Sequence, residues 1–185
     1  MHARPAGPGV RDVEVGGRLH ALGALGDAVH GELRWIQPRV FGREWQLVTD
    51  RGEHLLVRGR GWTRRHAVVE TPEATWSLAR SWLGDIALAD PEGRPLMRMT
   101  RTWWGGRSLE PAAGPALRWR WHWRGLRTLE SEEGHELLRL RPRWSLLRRE
   151  ATIVLADAAR RRDDLLALLA VTFYAWLSRR RDRPH

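Results

Sequence analysis

The feature that most constrains this chain is a pattern that returns. When Trp35–Thr75, Trp76–Ala116 and Leu117–Asp157 are set under one another, no gap is needed, and the period is 41 residues, three times over. Trp35, Trp76 and Leu117 align, as do Phe41, Trp82 and Trp123. Leu47, Leu88 and Leu129 form a third column, Leu55, Leu96 and Leu137 a fourth, and Trp62, Trp103 and Trp144 a fifth. Gly52, Gly93 and Gly134 align as well, each closing an acidic turn, T-D-R-G, D-P-E-G and S-E-E-G. Glycine there supplies the positive φ that a tight hairpin demands.

Each repeat reads as about four strands. The clearest is the first strand of the third repeat. Leu117, Trp119, Trp121 and Trp123 alternate with Arg118, Arg120, His122 and Arg124, the period-2 pattern of a strand with one buried and one wet face. Trp76, Leu78 and Trp82 take the apolar face of the second repeat, with Arg80 as the exception. A second strand leads into each acidic turn, a third leaves it, and a fourth follows as R-H-A-V-V-E, R-S-L-E or E-A-T-I-V-L. Three repeats of four give about twelve antiparallel strands. A propeller needs at least four blades, so the expected fold is all-β: one closed antiparallel barrel. A barrel of about twelve strands is too wide for strand side chains alone to fill.

The filling is expected from the C-terminal stretch D-D-L-L-A-L-L-A-V-T-F-Y-A-W-L-S-R-R-R. Leu165 to Leu177 run with only Thr172 and the Tyr174 hydroxyl as polar interruptions. Acid in front (Asp163, Asp164) and base behind (Arg179, Arg180, Arg181) suit a helix dipole. With no polar face, such a helix must be surrounded. A tail anchor is the alternative, but about 20 apolar residues are needed to span a bilayer. The central helix is therefore placed at about 158–181, with Leu165, Leu169, Phe173 and Trp176 in the core beside Trp119, Trp121 and Trp123. Residues 1–10, rich in Pro and Gly, read as a flexible N-terminus, and 11–185 as one domain in which 11–34 take no clear assignment. The N-terminus lacks the apolar core of a signal peptide.

The chemistry-bearing residues make no catalytic constellation. The chain has no cysteine, which removes thiolate nucleophiles and thiolate metal sites. Its eight histidines share no metal-ligand spacing, and neither a nucleophile elbow nor a phosphate-cradling glycine loop is present. The expectation is a non-enzymatic domain with no cofactor and no metal. What stands out is charge. The net charge is +10, and every basic side chain other than histidine is Arg. One stripe, Arg118, Arg120, His122 and Arg124, lies on an outward strand face. Arg64, Arg65 and His66 form a second cluster, and Arg139, Arg141 and Arg143 a third. Arginine forks match phosphate oxygens, so an anionic partner is expected.

A meandering barrel of about twelve strands around an apolar C-terminal helix resembles the tubby C-terminal-like superfamily, which includes LURP-one-related proteins and phospholipid scramblases. The hairpins at Asp50–Gly52, Asp90–Gly93 and Glu132–Gly134, the strand aromatics and the helix Leu165–Leu177 carry the resemblance. It is one of architecture, without a shared residue motif. It implies a binding domain whose basic exterior meets anionic phospholipid headgroups, cytoplasmic and peripheral at the inner membrane surface. Arg118, Arg120, His122, Arg124, Arg64 and Arg65 are the candidate ligand-binding residues. A nucleic-acid-binding barrel using the same Arg and Trp residues is the second reading, and a tail-anchored membrane protein the third.

Overall fold

The computed structural model describes residues 33–39, 42–49, 52–60, 65–103, 106–144 and 149–179. The segments 1–10 and 11–32 lie outside the described residues. Twelve strands follow in order: β1 (Leu33–Ile36), β2 (Glu44–Thr49), β3 (Gly52–Arg60), β4 (His66–Glu70), β5 (Thr75–Arg80), β6 (Ile86–Ala89), β7 (Pro95–Arg101), β8 (Arg107–Pro111), β9 (Leu117–Trp121), β10 (Arg127–Glu130), β11 (Glu136–Trp144) and β12 (Arg149–Leu155). Every strand pairs antiparallel with its sequence neighbours, and β1 returns to pair with β12 through Leu33–Ile153 and Trp35–Ala151. The sheet is a closed barrel, so no strand offers an unpaired edge.

Alternation decides what the barrel encloses. Trp35, Leu47, Leu78, Leu88, Met99, Leu109, Trp119, Leu140 and Ile153 are buried, while the intervening Arg34, Arg58, Arg98, Arg118 and Arg120 are exposed. An apolar interior and a charged wall are the reverse of a barrel whose outer band faces lipid. In the three acidic hairpins Leu47 faces Leu55, Leu88 faces Met97 and Leu129 faces Leu138. The structural counterparts of Leu55 are therefore Met97 and Leu138, one residue later than Leu96 and Leu137 of the gapless alignment. Between these facing pairs the first hairpin is one residue shorter, and its strands pair further, closing Thr49 on Gly52 where the others close Ala89 on Pro95 and Glu130 on Glu136.

Two helices follow β12. A single turn, α1 (Asp157–Arg160), is separated from α2 (Leu165–Arg179) by a break at Arg161–Asp164. The central helix thus starts later than the expected residue 158. Arg161 and Asp163 are exposed, and Arg162 forks onto Asp164 at 2.7 and 2.8 Å. Charged groups stay at the rim, and the helix proper begins where the sequence turns apolar. From Leu165 to Ser178 only Leu166 and Leu177 are less than fully buried. Phe173 stacks on Trp35 at 3.9 Å and 13°, and meets Trp45 and Trp176 at 5.1 and 5.6 Å. The edge contact with Trp45 is among the favoured aromatic geometries. The hydroxyls of Thr172 and Ser178 donate to helix carbonyls, Leu168 O at 2.6 Å and Tyr174 O at 2.7 Å, so neither is left unsatisfied in the core. Among the described residues no helix is long and apolar enough to cross a membrane.

Candidate functional site

An antiparallel meander sorts its connections between two ends. The connections β2–β3, β4–β5, β6–β7, β8–β9 and β10–β11 share one end with α1. The connections after β1, β3, β5, β7, β9 and β11 share the other, where α2 also ends: Arg80 Nη1, at the tip of β5, donates to Ser178 O at 3.4 Å.

Among the described residues the α1 end has no tryptophan, and its carboxylates outnumber its arginines, Arg94 and Arg160 to Arg162. Its turns hold Glu73, Asp90, Glu92, Glu132 and Glu133. They are closed by their own backbones, with Gly93 N donating to Asp90 O at 3.0 Å and Gly134 N to Ser131 O at 3.0 Å. Burial pushes the Asp90 carboxyl up, but hydrogen bonds and charge from Arg94 outweigh it and hold Asp90 below the usual value. Arg94 Nε donates to Asp90 Oδ2 at 2.6 Å. Asp90 Oδ1 also accepts from Arg94 N at 2.8 Å, so this carboxylate locks its own hairpin.

The other end is aromatic and basic. Trp82 is 86% exposed, Leu83 78%, Trp103 83% and Trp123 86%. They sit on three consecutive connections, β5–β6, β7–β8 and β9–β10. The Arg65 guanidinium lies 3.3 Å over the Trp82 ring, a cation–π contact. Arg39 and Arg43 are also exposed at this end. Among the described residues of these connections Asp85 is the only carboxylate, and it faces Arg98 at 3.6 Å. The turn that carries Trp82 is held from beneath by the buried Arg107, whose Nη1 donates to Gly84 O at 2.8 Å. Arg101 passes over Gly84, where an added Cβ would sit 2.9 Å from its Nε.

The residues singled out from sequence divide accordingly. Trp119 is buried, as are Leu165, Leu169, Phe173 and Trp176. Trp121 is partly buried beneath the Arg127 guanidinium at 3.8 Å. Trp123 is not core. β9 ends at Trp121, and the chain turns through a 3-10 turn, Trp123–Gly125, that points the indole at solvent. Trp82 departs from the expected apolar face for the same reason, since β5 ends at Arg80. The arginine stripe is broken by its neighbours. Arg120 Nε meets Glu130 Oε2 at 3.0 Å. His122 Nε2 lies 2.7 Å from Thr128 Oγ1, which in turn donates to Glu130 Oε1 at 2.9 Å. Arg118 stands exposed on the wall, and Arg124 lies in the 3-10 turn. Of the second cluster Arg65 reaches the aromatic end, whereas Arg64 lies outside the described residues. Arg139 pairs with Glu136 at 2.8 Å.

The tryptophans at the tips were the feature sequence patterning missed. A usable signal was present: each precedes a glycine closely, in W-L-G, W-W-G and W-R-G. An aromatic so close to a turn glycine belongs to the connection and not to the strand. Among the described residues no group of His, Asp and Glu is arranged to hold a metal ion. The fold and this end define a helix-filled β-barrel with an aromatic, basic rim. Comparison with protein-family models, with curated proteins and with solved structures found no match.

Proposed function

We propose that this protein is a non-enzymatic domain that binds anionic phospholipid surfaces through the aromatic, basic end of its barrel. The observation that carries the reading is the segregation itself: exposed tryptophans with arginines at one end, carboxylates at the other. Such an end is attracted to anionic headgroups, each basic residue near the surface contributing about 1 kcal/mol, while Trp favours the interfacial zone. The opposite end is repelled, which gives the encounter a direction. Membership of the tubby C-terminal-like superfamily is proposed on the same architecture, the twelve-stranded barrel closed around α2.

Nucleic acid is the weaker reading. Base stacking on a strand needs aromatics lining a basic groove, and here they stand on separate convex turns. The test is cosedimentation with phosphatidylcholine vesicles, with and without added phosphatidylserine, beside an anisotropy titration with single- and double-stranded oligonucleotides. Binding to the phosphatidylserine vesicles that weakens with salt supports the proposal. No binding at low salt, or tighter binding to an oligonucleotide, overturns it.

A further inference from the structure

Resting on that reading, we infer that the barrel docks end-on, with Trp82, Leu83, Trp103 and Trp123 inserted into the headgroup–acyl boundary of an anionic bilayer and Arg65 level with the phosphates. The four side chains belong to three successive connections of one rim. They are 78–86% exposed, whereas Trp35, Trp45, Trp119, Phe173 and Trp176 are turned inward. Three large indoles are thus held in water on separate turns of one rim. Grouped exposed apolar side chains with a polar surround mark an interaction surface.

The turns are also built stiff. Ser81 N donates to Asp85 O at 2.8 Å and Gly84 N to Ser81 O at 3.1 Å. Thr102 N donates to Gly106 O at 3.1 Å, and His122 N to Leu126 O at 3.0 Å. Arg107 braces the first of them through Gly84 O. A pre-formed tip inserts without the ordering cost that a loose loop bears. Arg65 fits the same interface. Its guanidinium lies over the indole, and a long side chain of this kind keeps its charged head at phosphate level while the neighbouring ring is immersed.

The other orientations are disfavoured by charge. A side-on pose would press Glu44, Glu70, Glu110 and Glu130 against anionic lipid along with the wall arginines, several of which they already pair. The acidic end would meet the membrane with Glu92, Glu132, Glu133, Asp157 and Asp163 exposed against Arg94 and Arg161.

The absence of native cysteine makes the test direct. Single-cysteine variants Leu83→Cys, Val154→Cys on the wall and Ala113→Cys at the acidic end each carry an environment-sensitive fluorophore. They are mixed with phosphatidylserine-containing vesicles whose acyl chains bear a quencher. The expected result is a blue shift and quenching at position 83 and neither at 113 or 154. In parallel, Trp82→Ala, Trp103→Ala and Trp123→Ala should each weaken vesicle partitioning about tenfold, as loss of roughly a quarter to a third of an indole's area from the interface implies. Their thermal midpoints should shift by only a few degrees, because the three indoles are 83–86% exposed and a surface cation–π contact is worth about 0.5–1 kcal/mol. Vesicle binding with no response at 83, 113 or 154 overturns insertion and leaves charge-driven binding at this end standing, whereas quenching at 154 or 113 overturns both the pose and the choice of end. Absence of binding to phosphatidylserine vesicles at low salt takes both down.

Discussion

Tyr174 concentrates the physics of the interior in one side chain. It is the chain's one tyrosine, buried on α2. Burial pushes its phenol up to about 12, with the nearby Arg80 charge pulling the other way. Its ordinary value is about 10, so between the two the unfolded chain releases a proton that the folded chain keeps. The contribution to stability is whole below pH 10 and is lost as pH rises toward 12, about 2–3 kcal/mol in all. A tyrosinate absorbance titration should find a midpoint near 12 in the native protein and near 10 in denaturant; a native midpoint near 10 would place Tyr174 in water. That Tyr174 and Phe173 are enclosed was legible in the sequence, because no residue from Leu165 to Leu177 could form a polar face. That Phe173 stacks on Trp35, some 140 residues away in sequence, depends on barrel closure and is written in no local pattern.

At the scale of elements, strand existence was readable and strand ends were not. Alternation announced β9, but the pattern continued through Trp123 in the sequence while the strand stopped at Trp121. Periodicity does not distinguish a residue that continues a strand from one that begins a turn with the same parity. Glycine conformation does. Gly84 has φ +90° and Gly125 φ +83°, values open to glycine and strained for other residues. Gly84→Ala should therefore destabilise the protein by about 1–2 kcal/mol, and it should displace Arg101, whose Nε lies 2.9 Å from the new Cβ. A urea titration reads the loss, and an unchanged midpoint would show the turn relaxed at no cost. Because this turn presents Trp82, vesicle binding should weaken with it.

For the whole molecule, closure and filling are one event. The barrel wall supplies Trp35, Trp45 and the leucines, and α2 supplies Phe173, Leu169 and Trp176 to the same core. Phe173→Ala should cost about 3–5 kcal/mol. Removal of residues 163–185 should leave a chain with no cooperative unfolding transition, since the wall's apolar face would then line a water-filled channel. A cooperative melt after that deletion, followed by circular dichroism, would show the barrel able to stand empty.

The charge separation between the two ends also belongs to this scale. The acidic turns were plain in the sequence as D-P-E-G and S-E-E-G, and the arginine stripes as R-W-R-W. Their meaning changed when the sheet closed. Glu130 on β10 took up Arg120, so the stripe that looked like a binding face became part of a balanced wall. The tryptophans assigned to the core at Trp82 and Trp123 became the exposed rim.

The sequence by itself determined the strand number, the antiparallel meander and the need for a helix inside, because each follows from local periodicity and from chain segments that cannot face water. Tertiary structure alone decided which turns share an end and which arginines meet carboxylates. Those depend on the parity of strand direction around a closed sheet and on pairs of residues brought together across strands, distances that no local pattern encodes.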